Sequence, residues 1–201
     1  MKVITLNQEM LKKESQKLAK LILESDWKPE LVIGIKTGGV YVAEPVYQQI
    51  SEQYKCSYLT LSLSRPSTEK KKRFKIEKLL KQLPYFLLNI LRNLEVFIFE
   101  QTKSKTYIPY REKDLHLDES FVKELYSYEN IILVDDAIDT GTTIIAIKNR
   151  LLAINPHLNI KTAVLTITHK VPFIEADYSL YKRVLLRCPW AADYKGETYE
   201  T

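Results

Sequence analysis

Two carboxylates, Asp135 and Asp136, close the apolar run Ile131–Val134, and after Ala137 and Ile138 the chain enters a turn of Asp139, Thr140, Gly141, Thr142 and Thr143. Adjacent carboxylates accept hydrogen bonds from a cis-diol or hold a magnesium ion. A Thr/Gly turn leading into a helix presents hydroxyls and consecutive backbone N–H groups, where the helix dipole adds to the attraction for a phosphate. Together the two halves suit a phosphorylated sugar. Standing alone, an acid pair after a strand would as readily cap the next helix; the complete turn behind it favours a ligand.

A second turn, Lys36, Thr37, Gly38 and Gly39, follows the β-branched run Leu31–Ile35. Its glycines allow a positive φ or a close approach of backbone to an anion, and Lys36 brings a matching charge. Such turns belong at the carboxyl ends of strands in open α/β sheets, where ligands bind. The elements that would carry them are legible from periodicity. Strands are expected at 31–35, 57–62, 130–134 and 161–167, with helices over 40–54 and 142–153. An amphipathic first helix is expected to use Met10, Leu11, Leu18 and Leu21. Alternating strands and helices imply an α/β fold with a parallel sheet.

The chain has 201 residues, enough for one full core and too few to favour two domains. A single domain spanning 1–201 is expected. A net charge of +5 favours anionic partners. Cys56 and Cys188 stand far apart with no CxxC pair, which points away from a disulfide framework or a zinc site. The opening MKVITLNQEMLKKESQKL has no continuous apolar core, so neither a secretory signal nor a membrane span is expected, and cytoplasmic residence follows.

The sequence LVDDAIDTGTT resembles the ribose-phosphate signature of the type I phosphoribosyltransferases, and IGIKTGG resembles their diphosphate loop. The resemblance spans residues 31–62 and 130–196. It implies a parallel-sheet domain with a small C-terminal hood near 168–196, binding 5-phosphoribosyl-1-diphosphate with Mg2+. Asp135 and Asp136 would meet the ribose hydroxyls and the metal, residues 139–143 the 5-phosphate, and residues 36–39 the diphosphate. Asp139, within DDAIDTG, most resembles the 6-oxopurine branch, where this carboxylate is the candidate general base for a purine proton.

By the same resemblance, THKVPFIEADY and CPWAADYKGE form the purine-recognition region. Lys170 would donate to a 6-oxo group, and Asp193 would lie near diphosphate and metal. Where that branch carries a stacking aromatic this chain has Leu185 and Leu186, leaving Trp190 as a substitute or as core packing. A small-molecule acceptor and a homodimer are the implied partners.

Residues 65–117 form an insertion far longer than an ordinary crossover. Two helices interrupted near Pro84 and a short strand near Val96–Phe99 are expected, with Leu79, Leu83, Phe86, Leu87 and Ile90 buried against the domain or a second subunit. Ser64–Lys75 matches the position of the family's mobile loop, or forms a solvated basic helix. Two rival readings follow from charge: a nucleotide sensor whose basic face binds nucleic acid, and an insertion that binds a membrane surface or a partner.

Overall fold

The computed structural model describes residues 1–62, 80–102 and 117–196. Five strands form a wholly parallel sheet in the order β3-β2-β4-β5-β6: β2 (Leu31–Ile35), β3 (Ser57–Leu61), β4 (Asn130–Ile138), β5 (Asn159–Ile167) and β6 (Tyr178–Lys182). All five residues of β2 are buried, as are Ile131–Val134 of β4, because a parallel sheet is covered on both faces.

Alternation sorts the core into two layers. Leu31, Ile33, Ile131 and Leu133 pack with Ile144, Ile147 and Leu151 of α5 (Thr142–Ile154) and with Leu125 of α4 (Glu119–Leu125). Val32, Ile132 and Val134 face α1 (Gln8–Leu23) and α2 (Gly39–Ser51) through Leu11, Leu18, Val42 and Val46. In α1, Leu11 and Leu18 are buried as expected. Met10 and Leu21 are exposed; Ser15 takes the inner face, its hydroxyl donating to the Leu11 carbonyl at 2.9 Å. The Asn7 side chain accepts the Met10 N–H at 2.8 Å and starts the helix.

β4 continues past the expected end at Val134 through the acid pair to Ile138, because Asp135, Ala137 and Ile138 remain in register with β5. A second, two-stranded parallel sheet joins β1 (Lys2–Thr5) to β7 (Val184–Arg187), so the N-terminus helps build the C-terminal hood. β6 extends the main sheet. In the insertion, the expected strand at Val96–Phe99 is absent: residues 85–102 form one continuous helix, α3 (Tyr85–Thr102). A run of aromatic and β-branched residues resembles a strand, but no described strand pairs with it, and helical propagation satisfies its backbone instead. The burial expectation also changes within this chain. Leu88 is buried, whereas Phe86, Leu87 and Ile90 are exposed; Leu79, Ser64–Lys75 and most of the expected first insertion helix lie outside the described residues.

Candidate active site

Leu31 to Gly34 pair with Ile131 to Val134, so the turns that follow β2 and β4 emerge side by side at the carboxyl edge of the sheet. Packing locks them together. A Cβ at Gly38 would lie 2.6 Å from the Asp136 carboxylate, and one at Gly39 would lie 2.7 Å from the Asp135 Cα and the Val134 carbonyl oxygen. These glycines therefore serve close approach; Gly38 has a φ of −76°. The Lys36–Thr37 peptide bond is cis, and both residues are exposed at the mouth of the turn.

Gly141, by contrast, takes φ 84° as the N-cap of α5, with no side-chain cap bond to the first turn. Thr140 and Thr142 place their hydroxyls 3.1 Å apart beside it. The hood loop closes on this turn: the Phe173 N–H donates to the Thr140 carbonyl at 2.8 Å, and a Cβ at Gly141 would meet Ile174. The result is a helix N-terminus with hydroxyls and an αL glycine, an arrangement that suits a phosphate.

Asp135 accepts the Asp136 N–H at 2.9 Å, and Asp136 accepts the Trp190 indole N–H at 3.2 Å. Burial raises the Asp136 carboxyl above the ordinary carboxylate range, opposed by its hydrogen bonds with Asp135 and Trp190, while the nearby Asp139 charge adds to the rise. A buried acid in this state is stabilised as an anion by a cation or by sugar hydroxyls, and magnesium is commonly held by one or two carboxylates together with substrate phosphates. The pair fits that ion.

Asp139 is exposed, and its carboxylate accepts the Thr168 hydroxyl. It lines a cavity of about 440 Å³ that also borders His169, Leu185, Asp193 and, from α3, Arg92 and Phe99. Three acceptor-site expectations meet here: Asp139, Leu185 and Asp193. Three do not. Trp190 stacks on Tyr41 at 5.0 Å and serves the acid pair, Leu186 gives its carbonyl to Arg92, and Lys170 is exposed with its backbone N–H donating to Glu100 at 2.9 Å.

Asp193 is already engaged. Arg92 donates to both its oxygens, at 2.8 and 2.5 Å, and Arg187 donates to Oδ2 at 2.9 Å. Burial alone would raise this carboxyl, but the hydrogen bonds and charges of the two guanidiniums hold it below the ordinary range. Its geometry is that of an ion-pair centre joining α3 to the hood. Sequence reasoning missed both arginines, along with Phe99, Thr168 and His169. The available signal was charge in apolar context: Arg92 interrupts LLNILRNL, and Arg187 ends the strand VLLR.

A family model described as phosphoribosyl transferase domain matches residues 4–185. Among solved structures, a purine phosphoribosyltransferase from Pyrococcus horikoshii is 17% identical with a TM-score of 0.57, the alignment covering 100% of each chain. The xanthine-guanine-hypoxanthine phosphoribosyltransferase of Helicobacter pylori is 13% identical with a TM-score of 0.57, over 94% of this chain and 91% of that one. The hypoxanthine phosphoribosyl transferase of Trypanosoma cruzi is 15% identical with a TM-score of 0.50, over 87% and 74%. No curated protein matches the sequence. At these identities the structural likeness is one of fold.

Proposed function

We propose, for a chain that belongs to the phosphoribosyl transferase domain family, the transfer of ribose 5-phosphate from 5-phosphoribosyl-1-diphosphate to a ring nitrogen of a 6-oxopurine-like base, with release of diphosphate. The observation that carries this reading is the packing of the Lys36–Gly39 turn against Asp135 and Asp136, which lead directly into the Asp139–Thr143 turn and to the cavity that Asp139 borders.

In this scheme Asp135 and Asp136 orient the ribose through its hydroxyls, Thr140–Thr143 hold the 5-phosphate, and Lys36–Gly39 hold the diphosphate. The bond from the anomeric carbon to the diphosphate oxygen breaks as the bond to the base nitrogen forms, through an oxocarbenium-like transition state. Asp139 accepts the proton that the base nitrogen releases, and Thr168 fixes the carboxylate for that task. Magnesium, when bound with the donor at Asp135 and Asp136, neutralises charge on the diphosphate leaving group. Asp193 stays with its arginines.

A homodimer is part of the proposal, because α3 carries an apolar stripe that the described chain leaves uncovered. The purine branch rests on Asp139 standing at the cavity wall.

The test is a ligand-dependent melting shift. Phosphoribosyl diphosphate with magnesium is expected to raise the melting temperature of the wild type, since a ligand selective for the native state stabilises it by mass action. The double substitution Asp135→Asn and Asp136→Asn is expected to abolish that rise. An undiminished shift in the double variant would remove the ribose assignment. If the donor binds but no base supports diphosphate release, the sensing reading replaces transfer, and binding of nucleic acid becomes the next measurement.

A further inference from the structure

Among the described residues no Phe, Tyr or Trp of the hood lines the cavity. Of Leu185 and Leu186, only Leu185 reaches the cavity, and Trp190 is committed to Tyr41 and Asp136. Yet an aromatic does line the same cavity from outside both motif blocks: Phe99, near the end of α3. We propose that Phe99 is the specificity-determining aromatic face of the acceptor site, supplied by the inserted helix. This rests on the reading of the cavity as the acceptor site.

Three observations hold Phe99 in place. Arg92, two turns earlier on α3, is bound to Asp193 and to the Leu186 carbonyl. Glu100, the next residue, accepts the Lys170 N–H at 2.9 Å and pairs with Arg183, which also donates to the Thr168 carbonyl at 2.8 Å. Burial would raise the Glu100 carboxyl, but the hydrogen bonds from Arg183 and Lys170 keep it below the ordinary range. Finally, Phe99 meets the His169 ring edge to face, with centroids 5.1 Å apart and planes at 72°. His169 is buried, and its Nδ1 has no hydrogen-bond partner among the described residues, so packing against Phe99 contributes to fixing that ring.

α3 is thus clamped to the hood on both sides of Phe99, and Phe99 lines the cavity that Asp139 borders. A planar nitrogen heterocycle placed there has the aromatic surface that Leu185 cannot provide. Aromatic pairs gain from offset or edge-on geometry beyond what area burial gives, an increment that corresponds to roughly a two- to tenfold change in affinity.

The experiment compares Phe99→Leu and Phe99→Trp with the wild type. It measures KM for hypoxanthine and for phosphoribosyl diphosphate in turnover, and Kd for guanosine monophosphate by calorimetry. Phe99→Leu is expected to raise the hypoxanthine KM and the nucleotide Kd roughly two- to tenfold, with the KM for phosphoribosyl diphosphate unchanged, and Phe99→Trp is expected to restore both. Unchanged nucleotide affinity in Phe99→Leu, or equal weakening towards donor and base, would overturn the proposal and leave Phe99 as packing between α3 and the hood. A wild type that binds no nucleotide would overturn it as well. If turnover is absent but nucleotide affinity follows the ring, the transfer reading fails while the assignment of Phe99 stands.

Discussion

Asp139 belongs to two structures at once: its backbone opens the Asp139–Thr143 turn, and its carboxylate accepts the Thr168 hydroxyl at the border of the cavity. Asp139→Asn preserves shape and removes the capacity to accept a proton at neutral pH. Turnover is expected to fall by about 10²- to 10⁴-fold, the usual worth of general-base assistance, with little change in donor affinity. Steady-state kinetics with donor binding measured in parallel decides this; retained turnover would make Asp139 a structural member of the loop. The position was legible in the sequence because the spacing from Asp135 through Thr143 is local, and strand, turn and helix must follow one another. Phe99 was not legible. Its role depends on where α3 lies relative to the hood, which no local spacing encodes. Asp193 was noticed for its type, but of its two guanidinium partners one, Arg187, lies six residues away while the other, Arg92, comes from α3, about a hundred residues earlier, and their convergence on one carboxylate is not encoded in local spacing.

The elements divide in the same way. Four strands of the main sheet, β2 to β5, were readable from their apolar runs, although β4 runs on to Ile138; β6, whose residues are only partly buried, was not read. The four-residue β1 escaped notice, since among the described residues its strand partner is β7, about 180 residues further along the chain. α3 was misread in part because its apolar residues are spread over much of its circumference. Its attachment runs through Arg187, which is 1% exposed and bonds to Asp193, Asn89 and Thr5 while packing over Tyr85. Arg187→Met is expected to cost about 3 kcal/mol, the lower end for breaking a buried pair, because Arg92 still faces Asp193. Chemical denaturation measures it; a loss within error of zero would show that the cluster adds nothing to the fold. The pH dependence has a definite sign. Asp193 titrates below its unfolded value, so its contribution is fully present above about pH 4 and is lost as pH falls through the lowered value. The stability gap between wild type and Asp193→Asn should therefore narrow in acid and stay constant near neutrality.

At the scale of the molecule, α3 has two working faces. One meets the hood; the other exposes Phe86, Ile90, Leu94 and Phe97, each at least half uncovered. Residues at this spacing form one stripe along the helix, the pattern of a face that packs against something. Among the described residues no helix is long and apolar enough to cross a membrane. Sedimentation is expected to show a dimer, and Ile90→Glu with Leu94→Glu is expected to yield a monomer. A wild-type monomer that floats with anionic vesicles would transfer the stripe to the membrane reading. The pairing of β1 with β7 has a consequence for how the protein is made. Lys2–Thr5 are synthesised long before Val184–Arg187, their strand partner among the described residues, while β2 to β5 and their helices already have what they need to collapse. The strand ends that carry both turns can thus assemble early, and the hood and its cavity close last. A nascent chain halted just before Val184 would contain the turns at Lys36–Gly39 and Asp139–Thr143 and lack the cavity wall that Leu185 and Asp193 supply.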